Sequence, residues 1–250
     1  GPQHPGAPGP DGRPAPTLLR ADSPTNPVDR YGLSKLAAEQ LVAASGLPFV
    51  VLRLGAVVPF DNRLDSLLTM RMLFEIPWDG LRHAVDPRDA GLAFARAASV
   101  PDAVGRTLLI AGDASFRTQH GPSMARQLEQ RGLPAMPYEV FCPPQPDAAA
   151  YFTEGHMDTS EAQALLGFQR HTHADYEAEA RRRAPRGSAL TPLVAGPAEL
   201  FLRSLSPYRA GAAAPRTPLH QRVASLHRPH EERANVHAEH WSPLGPDALR

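Results

Sequence analysis

One short apolar run, Pro48-Phe-Val-Val-Leu-Arg-Leu54, constrains the fold of this 250-residue chain more than any other feature. The run is rich in β-branched residues, and strands that are apolar on both faces are typical of parallel sheets covered by helices. The residues over 27–45 predict a helix directly before it, with Gly46 as a natural stop. The apolar positions of that helix recur at helical spacing: Leu33, Leu36, Ala37, Leu41 and Ala44. A helix that leads into a buried strand predicts an α/β fold.

The rest of the chain continues this alternation. A second strand is predicted over 107–111. Helices are predicted over 64–75, 87–98, 120–131, 158–166 and 173–184, with one more docking helix around 200–205. The Gly/Pro-rich segment 1–17 is expected to be disordered, and composition shifts to Pro, Ala, Arg and His after about residue 184. We therefore divide the chain into 1–17, an α/β unit over 18–183, and a helix with a weakly ordered tail over 184–250.

Composition narrows the functional classes. The formal net charge is zero, so no basic field indicates nucleic-acid binding. No stretch of about 18 apolar residues exists to span a membrane. Because the N-terminus lacks a basic stretch followed by an apolar run, we expect no signal peptide. With Cys142 as the single cysteine, no disulfide can form within the chain. A cytoplasmic location is the expectation that fits these features.

Tyr31 and Lys35 are four residues apart on the predicted helix, so their side chains share one face. Lys35 is the only lysine among 26 Lys+Arg residues, which leaves 26 − 1 = 25 arginines. A compact ammonium is therefore present where this composition would otherwise supply a guanidinium. A tyrosine has an ordinary pKa of about 10, and a nearby ammonium favours its phenolate. The pair is a candidate acid/base site for moving a proton to or from a hydroxyl or carbonyl group.

The segment around this pair resembles the catalytic helix of a known family. Asp22-Ser-Pro-Thr-Asn-Pro-Val-Asp-Arg-Tyr31-Gly-Leu-Ser-Lys35-Leu-Ala-Ala-Glu39 is similar to that of the extended short-chain dehydrogenase/reductases, or NAD-dependent epimerases/dehydratases. Four further segments resemble the family in the same order: Val51-Leu-Arg-Leu-Gly-Ala-Val-Val-Pro59, then 85–93, 105–112 and 158–168. The resemblance covers about residues 18–183.

The resemblance implies a fold, a cofactor and roles for three residues. The fold would be a partial Rossmann-like parallel sheet with helices and a small C-terminal substrate-side region. The cofactor would be NAD or NADP, and the substrate a small molecule with a reacting hydroxyl or carbonyl carbon. Tyr31 would be the general acid/base, Lys35 would favour its phenolate and hold the nicotinamide ribose, and Pro59 would lie near the nicotinamide. The helix over 27–45 would form a homodimer.

The sequence departs from the family at its N-terminal side. Gly6-x-x-Gly9-x-x-Gly12 has the spacing of a dinucleotide-binding loop, but only five residues precede it and no strand leads into it. The family's catalytic Ser or Thr has no clear equivalent, since Thr17 and Ser23 are the nearest hydroxyls. Ala56 stands where many sugar-nucleotide members carry Asn. We therefore expect a chain that lacks the glycine-loop half and is equivalent to the C-terminal half of the family's domain.

Two alternatives remain open at this stage. The chain can be a non-catalytic binding or scaffold protein of this family that has lost cofactor binding. The histidines of the tail also repeat at His227-x-x-His230 and His237-x-x-His240, a spacing that can bind zinc. No cysteine or acidic pair completes that set, so no metal site is expected.

Overall fold

The computed structural model of the chain describes residues 18–25, 27, 30–60, 73–129, 136–142, 155–183 and 191–208. These residues form helices and short strands in the alternation that the sequence predicts. None of the described helices is long and apolar enough to cross a membrane. The predicted disordered segment 1–17, nearly all of the predicted helix over 64–75 and the histidine-rich tail lie outside the described residues.

Helices and strands follow one another along the whole described chain. The strands are β1 (Val51–Leu54), β2 (Ala56–Val57), β3 (Leu81–Val85), β4 (Thr107–Ile110) and β5 (Arg117–Gln119). The α-helices are α1 (Arg30–Ala44), α2 (Pro87–Ala97), α3 (His120–Glu129), α4 (Ser160–Leu166), α5 (His173–Arg183) and α6 (Thr191–Leu205). Three 3-10 turns lie at Pro101–Ala103, Ala114–Phe116 and Tyr138–Val140.

The strands pair mainly in parallel. β1 pairs with β4 from Val51 opposite Thr107 to Leu54 opposite Ile110. β2 pairs in parallel with β3, and β5 adds to β3 in the antiparallel direction. Gly55 lies between β1, which pairs with β4, and β2, which pairs with β3. A Cβ at this position would lie 2.2 Å from the carbonyl oxygen of His83. Glycine therefore allows the close backbone approach that joins the two strand pairs.

Local signals at the helix ends explain where two of these helices start and stop. Asp86 caps α2 by accepting a hydrogen bond from the Arg88 backbone N–H, and Pro87 takes the first helical position, where no N–H is needed. Gly167 ends α4 in the left-handed conformation with φ +53°. That conformation favours glycine because it has no Cβ.

The main hydrophobic core lies between β3, β4, α2 and α4. Its buried members are Val85, Ala90, Ala93, Ala97, Ala103, Leu108, Ile110, Ala162, Leu166 and Phe168. Helix α2 contributes the alanines Ala90, Ala93 and Ala97 to this core, and Phe168 follows the end of α4. A second cluster joins α3 and α6 through residues such as Leu128, Phe141 and Leu202. The docking helix predicted around 200–205 is therefore real, although it begins at Thr191.

Helix α1 differs from the other elements because most of its side chains face solvent. Tyr31, Leu33 and Leu41 are 65%, 50% and 72% exposed. Leu36 is the one position of the predicted apolar stripe that is partly buried. The spacing correctly predicts the helix, but the described part of the chain does not bury its apolar face.

Candidate functional site

The structure places Tyr31 and Lys35 side by side in the first turns of α1. The Lys35 ammonium nitrogen lies 5.3 Å from the centre of the Tyr31 ring, which is cation–π distance. Both side chains are exposed. Lys35 makes no ion pair with any residue in the described ranges, so its charge is available to the phenol ring and to a ligand.

Lys35 also lines a cavity of about 260 Å³ beside α1. Ser23 and Thr25 supply hydroxyls to its wall, Arg20 supplies a second cation, and Met157 and Leu109 supply apolar surface. Tyr31 is not among the lining residues. The lysine therefore connects the tyrosine ring to a recess with hydrogen-bonding groups and an apolar floor, which is the usual character of a small-molecule site.

A polar clasp holds α1 on the sheet. The Arg53 guanidinium donates to both Glu39 carboxylate oxygens, with Nη2 at 2.7 Å and Nε at 2.9 Å, and its Nη1 donates to the carbonyl of Ala21 at 3.2 Å. The hydrogen bond to Glu39 raises the pKa of Arg53. Because the guanidinium of this β1 residue bonds to α1 and to the segment before α1, the clasp fixes the orientation of the helix that carries Tyr31 and Lys35.

Among the described residues, the other predicted site residues, Pro59 and Ser23, make no hydrogen bond or ring contact with this pair. Pro59 is exposed between the buried Val58 and Phe60 and has no hydrogen bond or ring contact with Tyr31 or Lys35 in the described structure. Ser23 accepts a hydrogen bond from the Arg20 backbone N–H at 2.9 Å and lies in a turn rather than on a strand. Thr17 lies outside the described residues. The structure thus brings together Tyr31 and Lys35 only, with Ser23 at the same cavity as Lys35.

A second cluster of ionisable groups joins α2 to the segment before α5. Asp86, Asp89 and His171 offer ligand atoms within 4.8 Å of one another. Asp89 already accepts the backbone N–H groups of Arg170 and His171 and contacts His171 Nδ1 at 2.6 Å. Burial acts to raise the pKa of Asp86, but the hydrogen bonds and charge of Arg88 outweigh it and the pKa is lowered. Asp89 therefore joins α2 to the segment before α5, and Asp86 is engaged by Arg88 of the same helix.

Sequence reasoning missed the residues that support the pair. Glu39 lies four residues after Lys35, so helical spacing alone places it on the same face. Its partner Arg53 is the one charged residue in the apolar run of β1, and a charge in such a run is a signal of a specific partner. The hydrogen bond between His83 of β3 and Met157 of the cavity wall is not indicated by any comparable feature of the sequence.

Comparison with known proteins supports the fold. No protein-family model matches the sequence, and no curated protein matches it significantly. The solved structures it matches include MoeE5 in complex with UDP-glucuronic acid and NAD, at 23% identity and a TM-score of 0.51 over 68% of this chain and 60% of that one. A short-chain dehydrogenase/reductase superfamily protein from Agrobacterium tumefaciens with bound NAD matches at 20% identity and a TM-score of 0.51, over 70% and 63% of the two chains.

A variant of UDP-glucuronic acid 4-epimerase from Bacillus cereus, in complex with UDP-4-deoxy-4-fluoro-glucuronic acid and NAD, matches at 18% identity and a TM-score of 0.51. That match covers 67% of this chain and 56% of the epimerase. The chain thus spans about three fifths of the length of these structures. The fold expected from the sequence is confirmed, because the described residues have part of the Rossmann-like α/β fold of the short-chain dehydrogenase/reductases and NAD-dependent epimerases.

Proposed function

We propose that this chain carries the acid/base pair of an NAD(P)-dependent oxidoreductase or epimerase that acts on a hydroxyl or carbonyl carbon of a small molecule. The Tyr31 phenol oxygen would accept a proton from a substrate hydroxyl during oxidation and return it during reduction. The Lys35 ammonium would favour the phenolate by placing a positive charge beside the ring. A bound nicotinamide supplies or accepts the hydride in such chemistry.

The observation that carries this proposal is the contact between Tyr31 and the only lysine of the chain. A distance of 5.3 Å from Lys35 Nζ to the Tyr31 ring brings the two predicted groups together on one exposed helical face. The fold supports the same class of function, because the structures that it matches hold NAD. The Glu39–Arg53 clasp adds a physical reason for the helix to keep a fixed orientation.

The described residues fit one end of a nicotinamide cofactor. Within the described residues Lys35 makes no ion pair, and it lines a cavity with the hydroxyls of Ser23 and Thr25; such groups suit ribose hydroxyls. The described ranges hold no glycine-rich turn between a strand and a helix, the element that holds a dinucleotide pyrophosphate. Lys35 and Tyr31 would therefore hold the nicotinamide side, and the choice between NAD and NADP depends on residues other than these.

Calorimetry with NAD and NADP on the 250-residue chain tests the proposal. Binding that weakens at least about tenfold in Lys35→Met, and stays unchanged in Ser34→Ala, is the expected result. Ser34 is a matched control because it lies on the same exposed face and its hydroxyl only donates to the Tyr31 carbonyl, at 2.8 Å. Equal affinity for the dinucleotide in wild type and Lys35→Met would remove Lys35 from the site.

The rival proposal is a non-catalytic binding or scaffold protein with this fold. Two observations favour it: the exposure of Tyr31 and the absence of a pyrophosphate-binding turn among the described residues. It predicts that this chain does not measurably bind NAD or NADP. It also predicts that Tyr31→Phe leaves the binding or scaffold function of the protein unchanged. Tight dinucleotide binding by the chain alone would exclude it.

We also propose that α1 forms a homodimer interface and that the protein acts in the cytoplasm without a nucleic-acid partner. The exposed apolar side chains of α1, Leu33, Leu41 and Val42, favour the interface, because a monomer in water would leave them uncovered. Light scattering on the purified chain tests it. A dimer that Leu41→Glu converts to a monomer is expected, and a wild-type monomer would contradict it.

A further inference from the structure

The cavity beside Lys35 is closed on one side by two segments that are distant in sequence. Residues 155–158, which we call the latch segment, pair with the segment around Leu19. The Leu19 N–H donates to the His156 carbonyl at 2.7 Å, and the Asp158 N–H donates to the Leu19 carbonyl at 2.8 Å. Leu19 and Met157 form an isolated parallel bridge, and both line the cavity. One wall of the Lys35 cavity therefore depends on the position of the latch segment.

Three side-chain contacts attach the latch segment to the sheet: His83 of β3 accepts from its backbone, Arg117 Nη2 donates to the Met157 carbonyl at 3.4 Å, and His156 Nε2 lies 3.3 Å from the Thr118 carbonyl oxygen. The Met157 N–H donates to His83 Nδ1 at 3.0 Å, and on the other side of the ring His83 Nε2 lies 3.0 Å from the Gly112 carbonyl oxygen. A carbonyl only accepts and a backbone N–H only donates, so Nε2 carries the proton and Nδ1 is bare. The ring is completely buried. These two bonds define a neutral imidazole in one tautomer.

We propose that His83 is a positioning residue whose neutral ring holds the latch segment, and through it Leu19, against the cavity that Lys35 lines. Protonation of Nδ1 would turn the acceptor into a donor that faces the Met157 N–H, and that bond cannot survive the change. The proposed latch does not depend on the proposed function, whereas its bearing on catalysis rests on that function.

Burial and the charge of Arg117 oppose protonation of the His83 ring, whereas its hydrogen bonds with the Asp113 and Gly112 carbonyl oxygens favour it. Arg117 reaches the same region from β5 and donates to the Met157 carbonyl at 3.4 Å. The His156 ring lies 6.0 Å from the His83 ring, and the Asp113 carbonyl is 3.4 Å from Nε2. Asp158 at the end of the latch segment faces Arg20 at 3.5 Å. Burial, the largest cause, lowers the pKa of His83 to about 4, and the charge of Arg117 acts in the same direction.

The latch should therefore be closed at neutral pH and should open selectively in acid. If the released ring regains an ordinary pKa of 6.5 and the latched ring keeps one of about 4, linkage predicts that opening becomes up to about 40-fold more frequent between pH 6 and pH 4. The strands beneath, such as β4, contain no group that this change protonates, and their backbone bonds should remain.

Hydrogen exchange on the full chain tests the latch. The amides of Met157, Asp158 and Leu19 are followed from pH 6 to pH 4, with the amide of Ile110 on β4 as the internal reference. Protection of the three latch amides relative to β4 should fall by about tenfold or more. If latch and β4 amides lose protection together at every pH, the wild-type protein itself contradicts the proposal.

Two variants of His83 separate positioning from simple packing. His83→Asn keeps an acceptor near Nδ1 without a titratable group, so the latch amides should stay protected at pH 4. His83→Gln places an amide toward Gly112 and should leave Met157 unprotected at both pH values. His120→Gln changes another buried histidine and should keep the wild-type pH profile of the latch. An unchanged pH profile in His83→Asn would overturn the assignment.

Discussion

Two regions of this chain are built in opposite ways. The core between β3, β4, α2 and α4 buries Val85, Ile110, Leu166 and Phe168 completely. Helix α1 leaves apolar side chains such as Leu41 in solvent and is held by the partly buried pair of Glu39 and Arg53. The first region is stabilised by apolar burial and the second by a few polar bonds.

The difference shows that the fold and the candidate site depend on separate sets of residues. Burial of a large apolar side chain stabilises a fold by about 1.5–3 kcal/mol, whereas an exposed side chain contributes little. Changes in the core should therefore alter stability, and changes on the face of α1 should alter function with little effect on folding.

The largest expected effect is the loss of Phe168. Its ring is completely buried beside α4, so Phe168→Ala should lower the free energy of unfolding by about 3–5 kcal/mol. Urea or guanidinium unfolding measures the change. Phe94→Ala is a suitable control, because that ring on α2 is 54% exposed. Equal losses in the two variants would mean that the described core does not govern stability.

Acid should destabilise the fold through His120, the first residue of α3, which contacts Phe141 of the second cluster. Burial lowers the pKa of this histidine to about 4, and its Nε2 lies 2.9 Å from the Leu73 carbonyl oxygen. Since the folded state favours the neutral ring, stability is complete above the ordinary pKa of 6.5 and is lost as the pH falls toward 4. The loss is at most about 3 kcal/mol. Chemical denaturation measures the free energy of unfolding at each pH across this window. The free energy should fall less steeply with falling pH in His120→Gln than in the wild type, and equal pH dependence would refute the role of His120.

The polar clasp on α1 should matter less than the core. Glu39→Ala removes both acceptors of the Arg53 guanidinium, whose side chain is 25% exposed, and should cost about 1–2 kcal/mol. Hydrogen exchange should place that loss mainly in α1. Glu161→Ala breaks the exposed pair with Arg106 and should cost less than about 0.5 kcal/mol. A loss spread evenly over β4 and α1 would show that the clasp is not local.

The smallest effect is expected on the exposed face of α1. Leu41→Ala should change the free energy of unfolding by less than about 0.5 kcal/mol in a monomer, because the side chain is 72% exposed. With α1 at the proposed homodimer interface, the dimer should show an additional loss that depends on protein concentration, and a loss that is the same at both concentrations would contradict that interface. Thermal unfolding at two concentrations distinguishes these outcomes.

The sequence predicts the long, strongly patterned elements well. The helix over 27–45 appears as Arg30–Ala44, the strand within 48–54 as Val51–Leu54, and the helix over 87–98 as Pro87–Ala97. The capping chemistry of Asp86 and Gly167 sets ends that spacing alone leaves open. Long apolar repeats and capping residues act between neighbours in the chain, so they can be recognised from a single sequence.

The strands that the sequence misses are short or interrupted by polar side chains. β3 contains Arg82 and His83, and their polarity hides a strand whose other residues are apolar. β5 has three residues, too few to show an alternation. At the site, spacing along one helix predicts the Tyr31–Lys35 contact. The His83 bond to Met157 joins residues 74 positions apart, and only tertiary structure creates it.

The most direct test of the central claim compares turnover and stability in one variant. The chain is incubated with NAD and UDP-glucuronic acid, the ligand of a protein with this fold, and formation of NADH or of an epimerised product is followed. The account predicts that Tyr31→Phe lowers the rate by about 10²–10⁴-fold while the free energy of unfolding changes by less than about 0.5 kcal/mol. A Tyr31→Phe variant that turns over at the wild-type rate would contradict it.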